Sequence, residues 1–261
     1  METLRIGKHK VVAYSAISEL PIVRYHRYQK LMLIDAGIGA DIASLDRRLD
    51  KARRYLLTGK GKEAAQELEN LRQCVFLIQS GLNPRHRAFA ALVTEVDGVQ
   101  FPEASDEAAD KIAEMLNDVP IGELSDIVDA AKKKIEAELR LYFPRLFESP
   151  ETKEYYDLLR QRTFTLLKAV AAGEDAPEEN AEVQRLTDAL ATFDTPQNYA
   201  GPEGVEVRAD KNFEDVCLVL AEQLHITPKT CTVFEYYNAY DFVQRRAKEA
   251  ENAQKRVNFK R

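Results

Sequence analysis

Any chemistry this chain performs has to be sought first among its histidines, its glycine turns and its cysteines. His9, His26, His86 and His225 are scattered, with no pair at helical ligand spacing and no CxxC unit beside them, so the spacing nominates no metal site. The turn "GIGAD", Gly37 to Asp41, has two of the glycines of a nucleotide-binding turn but lacks the third and follows a helix where a strand is required. It reads as a helix-helix turn. "TGKGK", Thr58 to Lys62, has the composition of a phosphate loop without its spacing, and Glu63 stands where a Walker motif needs a hydroxyl on the magnesium ion. No serine sits in a GxSxG elbow, and neither Cys217 nor Cys231 carries a local nucleophile signature. Carboxylates alternate with cations, as in "DRRLDKARR", a pattern that solvated ion pairing explains without catalysis. The expectation is a non-enzymatic protein with no catalytic, cofactor-binding or metal-ligating residue and no cofactor.

Binding chemistry has better candidates. "RYHRYQK", Arg24 to Lys30, interleaves aromatics with cations as a nucleic-acid surface does. On a helix, however, Arg24, Tyr28 and Leu31 are neighbours, and half-buried amphipathic side chains are the simpler reading. "LAEQLHITPKTCTVFEYYNAYDF", Leu220 to Phe242, is patterned like the two helices and turn of a DNA-binding helix-turn-helix. Its second helix should then carry polar or basic side chains into the major groove. Instead it carries Val233, Phe234, Tyr236, Tyr237, Tyr240 and Phe242, with Glu235 and Asp241 set against phosphates, and Lys229 is the one cation before Arg245. With so weak an electrostatic term, the segment is expected to be a core or subunit contact. His225 occupies the turn position where glycine is usual. The tail "QRRAKEAENAQKRVNFKR" is net positive and reads as an exposed, fraying helix able to dock on a partner.

The elements that must hold these residues follow from composition and periodicity. A chain of 261 residues with 45% apolar and 31% charged side chains is long enough to bury a core without a metal or disulfide, and its formal net charge of -6 argues against coating nucleic acid with its whole surface. Three cysteines, Cys74, Cys217 and Cys231, lie within apolar helical patterns and read as reduced core thiols. No apolar run approaches a membrane span and the N-terminus lacks a signal-peptide pattern, so the expected location is the cytosol or something assembled there.

The residues around Gly7 suggest a β-hairpin, and Leu20-Pro21 after Ser18 starts a helix that Gly37 and Gly39 stop. Ile42, Leu45, Leu49, Ala52 and Leu56 form one helical stripe, and Leu68, Leu71, Val75 and Ile78 a second. An antiparallel helical hairpin joined at Gly59 to Gly61 is expected, with Arg47, Arg48, Lys51, Glu67 and Glu69 off the stripes and facing solvent or a partner. Asp97-Gly98 between β-branched residues predicts another β-hairpin. A short helix from Ser105 and a long regular one ending at Pro144 follow. The next begins with Ser149 as cap and Pro150 in its first turn, stops at Gly173, and is expected to pack antiparallel to its predecessor. "GEDAPEENAEVQ" and "FDTPQNYAGPEGVEVRADKN" read as loops flanking a short helix.

The fold class expected is mainly α: helical hairpins or a bundle, one or two small β-hairpins, and a C-terminal helical subdomain. The division is 1–195 as a helical domain, 196–210 as a linker, and 211–261 as a C-terminal helical hairpin with a basic tail.

"LPIVRYHRYQKLMLIDAGIGADIASLDRRLDKARRYL", "AAQELENLRQ" and "YYNAYDFVQRRAKEAE" together resemble a family of uncharacterised proteins encoded by bacteriophages and prophages of gut Bacteroidota. The resemblance rests on Leu20, Pro21, Asp35 to Gly39, Asp41, Asp46, Glu67 and Asn70 to Arg72, covers most of the chain and carries over no site residues. It implies a virion or morphogenesis role, at the tail or head-to-tail junction or as an assembly chaperone, in the host cytoplasm during assembly or in the virion. The partners expected are other phage structural proteins and further copies of the chain. The alternative is a nucleic-acid-binding regulator using residues 220–242.

Overall fold

The structure, a computed structural model, describes residues 1–147, 150–172, 177–190, 193 and 195–258. In chain order these form β1 (Glu2–Ile6), β2 (His9–Ala13), α1 (Ile22–Gly37), α2 (Ile42–Leu57), α3 (Gly61–Ser80), α4 (Pro84–Leu92), β3 (Val93–Val96) and β4 (Val99–Gln100). Then come α5 (Asp106–Met115), α6 (Ile121–Tyr142), α7 (Pro150–Ala172), α8 (Pro177–Leu190), α9 (Val205–Leu224) and α10 (Val233–Asn258). The protein is mainly helical with one small sheet, as the periodicity predicts. Among the described residues, no helix is long and apolar enough to cross a membrane.

The two expected β-hairpins join. β2 pairs antiparallel with β3, setting Val11 opposite Val96, and the order is β1-β2-β3-β4. Neither hairpin is stable alone, and joining them lets Ile6, Val11, Ala13, Val93 and Val96 bury together. The β3-β4 turn places Asp97 at φ 49° and Gly98 at φ 87°, the pair of left-handed conformations a two-residue hairpin needs.

Arg24, on the buried face of α1, holds this sheet to the helices. Its guanidinium donates to the carbonyls of Ala91 at 3.0 Å, Val93 at 2.9 Å and Phe101 at 2.5 Å, and lies 5.6 Å from the centre of the Tyr14 ring. The Ala91 carbonyl belongs to the last turn of α4, which has no helical donor of its own. In "RYHRYQK", Arg24, Tyr25 and Tyr28 are buried, so the motif is structural on that face.

Two compact units result, one of residues 1–143 with 197–261 and one of residues 144–196. Residues 211–261, expected as a separate subdomain, belong instead to the first unit. The reason is backbone pairing: Ile22 N–H donates to Cys231 O at 2.9 Å, Val233 N–H to Leu20 O at 2.8 Å, and Phe234 N–H to Ile17 O at 3.0 Å. The otherwise orphaned amides at the start of α10 are thereby satisfied by the segment that leads into α1.

The second unit is a hairpin of α7 on α8, with Ala169 and Leu186 buried and Arg162 Nε donating to Thr187 Oγ1 at 2.8 Å. The helix that pairs with α7 is therefore α8, whose first residues read in sequence as a linker. Pro177 suits a first helical turn, and Glu178 and Glu179 are favourable at the positive end of a helix dipole. The cap assigned to Ser149 and the stop assigned to Gly173 lie outside the described residues.

Replacing Arg24 with Met strands three buried carbonyls, so Arg24→Met should lower unfolding stability by at least ~3 kcal/mol. A urea titration reads this as an earlier midpoint at an unchanged slope.

Candidate functional site

The α2-α3 hairpin forms as expected, but its inner face is not the one the stripes suggest. Ser44, Ala52 and Tyr55 of α2 and Ala64, Glu67, Asn70 and Cys74 of α3 are buried. Ile42 is 74% exposed, Leu49 53% and Leu56 61%, and Phe76 of α3 is also exposed. Glu67, expected at the surface, has no exposure at all, and Arg48 is nearly covered. The reason is a buried ion pair: Arg48 Nη1 donates to both Glu67 carboxylate oxygens at 2.9 Å. Asn70 adds a bond from its amide to the Gln197 carbonyl at 3.1 Å, tying the loop before α9 to the hairpin.

That loop then explains Gly37. A Cβ on Gly37 would lie 1.6 Å from the Tyr199 hydroxyl oxygen, so the glycine is required by close approach of the ring as much as by the turn. Gly39 takes the left-handed φ of 74°, and Asp41 caps α2 by accepting from Ser44 N–H at 2.6 Å. Gly37, Gly39, Asp41, Glu67 and Asn70 thus belong to the set that closes α1 onto the α2-α3 hairpin. Beside them opens a cleft of 610 Å³ lined by Leu31, Ile34, Ile38, Phe76, Leu77 and Tyr199, with Glu69, Asp106 and Glu206 among its charged residues. Arg87, also lining it, is paired to Asp106 at 2.9 Å and to Asp110. The cleft combines apolar surface with net acidic charge.

The stretch patterned like a helix-turn-helix lies in α9, a one-turn 3-10 helix over Pro228–Thr230, and α10. His225 takes the left-handed φ of 55° in the turn position usual for glycine. Lys229 pairs with Glu214 at 2.7 Å. Glu235 is half of a capping box: its carboxylate accepts from Thr232 N–H at 2.8 Å while its own N–H donates to the Thr232 hydroxyl at 3.3 Å. The aromatic face turns inward. Phe234 packs edge-on to Tyr142 with ring centres 5.3 Å apart, and Tyr237 meets Tyr25 at 6.3 Å and Phe143 at 5.9 Å. Tyr236 meets Phe213, whose other neighbour is the His26 ring stacked at 4.2 Å. His26 and Lys30 both reach Asp210, at 2.7 Å and 3.0 Å. Much of the aromatic surface of this stretch is thereby used inside the chain.

One polar cluster has no forewarning in sequence. His9 binds Asp97 through Nδ1 at 2.6 Å and Asp118 through Nε2 at 2.8 Å, and Lys8 also pairs with Asp118 at 2.7 Å. A carboxylate at each ring nitrogen favours the imidazolium, which donates at both, so the hydrogen bonds to Asp97 and then Asp118 raise the His9 pKa. The Lys8 hydrogen bond, with that of His9, brings the Asp118 carboxyl down to about 2. The clasp pins the sheet to the loop between α5 and α6.

Within the second unit, Tyr156, Phe164, Leu167 and Val170 of α7 are all exposed. Comparison with protein-family models, curated proteins and solved structures finds no match to this chain.

Two outcomes follow from the charged clusters. Glu67→Ala leaves Arg48 unpaired in a buried site and should cost about 3–5 kcal/mol, whereas Arg48→Met with Glu67→Leu should recover most of it; denaturant titration separates the two. The His9 clasp contributes in full below the ordinary imidazole value of 6.5 and weakens as pH climbs through the raised folded value. Its carboxylate side is lost only in acid, as pH falls through the depressed Asp118 value of about 2. The stability gap between the native chain and His9→Gln should therefore narrow from pH 6 toward pH 9, measured by unfolding at each pH, and a gap constant over that range would refute the assignment.

Proposed function

We propose that this chain is a phage structural or assembly protein, part of the virion, tail or head-to-tail junction or a chaperone of their assembly, that works through helix-mediated protein contacts. The observation that carries the reading is the outer face of α7, where Tyr156, Phe164, Leu167 and Val170 recur at helical spacing and are exposed. Large apolar side chains gathered on one face are stabilised by leaving water, each by about 1.5–3 kcal/mol on full burial. Interfaces favour aromatic and aliphatic anchors of this kind. The resemblance of "LPIVRYHRYQKLMLIDAGIGADIASLDRRLDKARRYL" to phage and prophage proteins supports the choice of setting.

Co-purification with co-encoded virion proteins, followed by light scattering, should give a complex heavier than the chain alone. Phe164→Glu with Leu167→Glu should weaken that complex by tenfold or more, a loss of ~1.4 kcal/mol or greater, at unchanged helicity. A chain that binds none of these proteins, but binds duplex DNA with an affinity that falls steeply with salt, would instead fit a nucleic-acid-binding regulator.

A further inference from the structure

The outward stripe of α2 consists of Ile42, Asp46, Leu49, Arg53 and Leu56, at steps of four, three, four and three, so that all five lie along one narrow face. Its inner face is already filled by Ser44, Ala52, Tyr55 and the Arg48–Glu67 pair, leaving the stripe uncovered. Asp46 and Arg53 are both exposed, and neither is in an ion pair among the described residues.

Turned end for end, the stripe matches itself. About a two-fold axis at Leu49, Ile42 faces the second copy's Leu56, Asp46 faces the second copy's Arg53, and Leu49 faces its own equivalent. These levels agree to within about one residue rise, ~1.5 Å. A parallel arrangement would set Asp46 against Asp46 and Arg53 against Arg53, so charge selects the antiparallel one. A two-fold contact also requires a self-complementary patch, and this one alternates three apolar layers with two ionic layers in palindromic order.

We propose that two copies of this chain associate antiparallel through α2, with Leu49 on the two-fold axis and the Asp46–Arg53 pair formed twice between copies. This gives the assembly reading one definite partner, a second copy, and rests on that reading's premise that helix faces make the contacts. The seam is one helix about 24 Å long, and a single helix pair buries less than the ~1,200 Å² of a standard interface. The dimer is therefore reversible and concentration-dependent.

Sedimentation velocity of the full chain over a wide concentration range tests this. The expected result is a shift from monomer to dimer mass. Leu49→Arg sets two cations on the axis and abolishes the shift, and Asp46→Arg weakens association by roughly tenfold or more. Combining Asp46→Arg with Arg53→Asp restores it. In a Cys231→Ser background, which removes the one partly exposed thiol, Leu49→Cys gives an interchain disulfide on mild oxidation, whereas Cys231→Ser alone, with Cys74 and Cys217 buried, does not. Circular dichroism checks that these exposed substitutions leave the fold intact. A chain monomeric at every concentration, a dimer indifferent to Leu49→Arg, or a double exchange that fails to restore association would each overturn the proposal. A dimer that behaves as described while no virion protein binds would sustain the seam and overturn the assembly reading.

Discussion

The first unit depends on one buried cation. Arg24 reaches from α1 to three carbonyls belonging to the end of α4, the start of β3 and the residue after β4. These carbonyls lie at a helix end, a strand start and just past a strand end, where acceptors are left pointing out of the local ladder. A guanidinium suits the position because its fork of donors is rigid and stays charged where a lysine would shed its proton. The sheet, small as it is, becomes part of the helical core through that contact.

The same device recurs at the α2-α3 hairpin, where a carboxylate and a guanidinium are buried beside the small apolar core of Ala52, Tyr55, Ala64 and Cys74. Their burial leaves the large aliphatic side chains of α2 on the outside. Buried charge inside and apolar side chains outside are two sides of one choice of helix rotation. Only paired ions make that rotation tolerable, since either charge alone would carry a heavy desolvation penalty.

Much of the secondary structure was legible because its signals are local. Pro21, Asp41, Ser105 and Asp97-Gly98 each set a helix start or turn through backbone chemistry that a few residues determine. The rotation of α2 was not legible, because Arg48 and Glu67 look like surface residues until the two helices bring them together. The grouping of α9 and α10 with α1 was hidden for a similar reason: the amides of Val233 and Phe234 find their acceptors at Leu20 and Ile17, at the other end of the chain. Of the candidate surfaces, the aromatic stretch at 220–242 was identified as packing from its own charges, whereas the His9 clasp joins residues from three separate segments that no spacing rule connects.

The pairing of the segment before α1 with the start of α10 also orders synthesis in time. Strands, α1 and the α2-α3 hairpin leave the ribosome well before the residues that complete their core, and the whole of 144–196 is made in between. The α7-α8 hairpin is local in sequence and closes early, while the first unit waits for the segment from residue 197 onward to complete its long-range contacts. Until Val233 arrives, the aromatic faces of α1 and α6 stand in water, a window in which a folding partner has the most to shield.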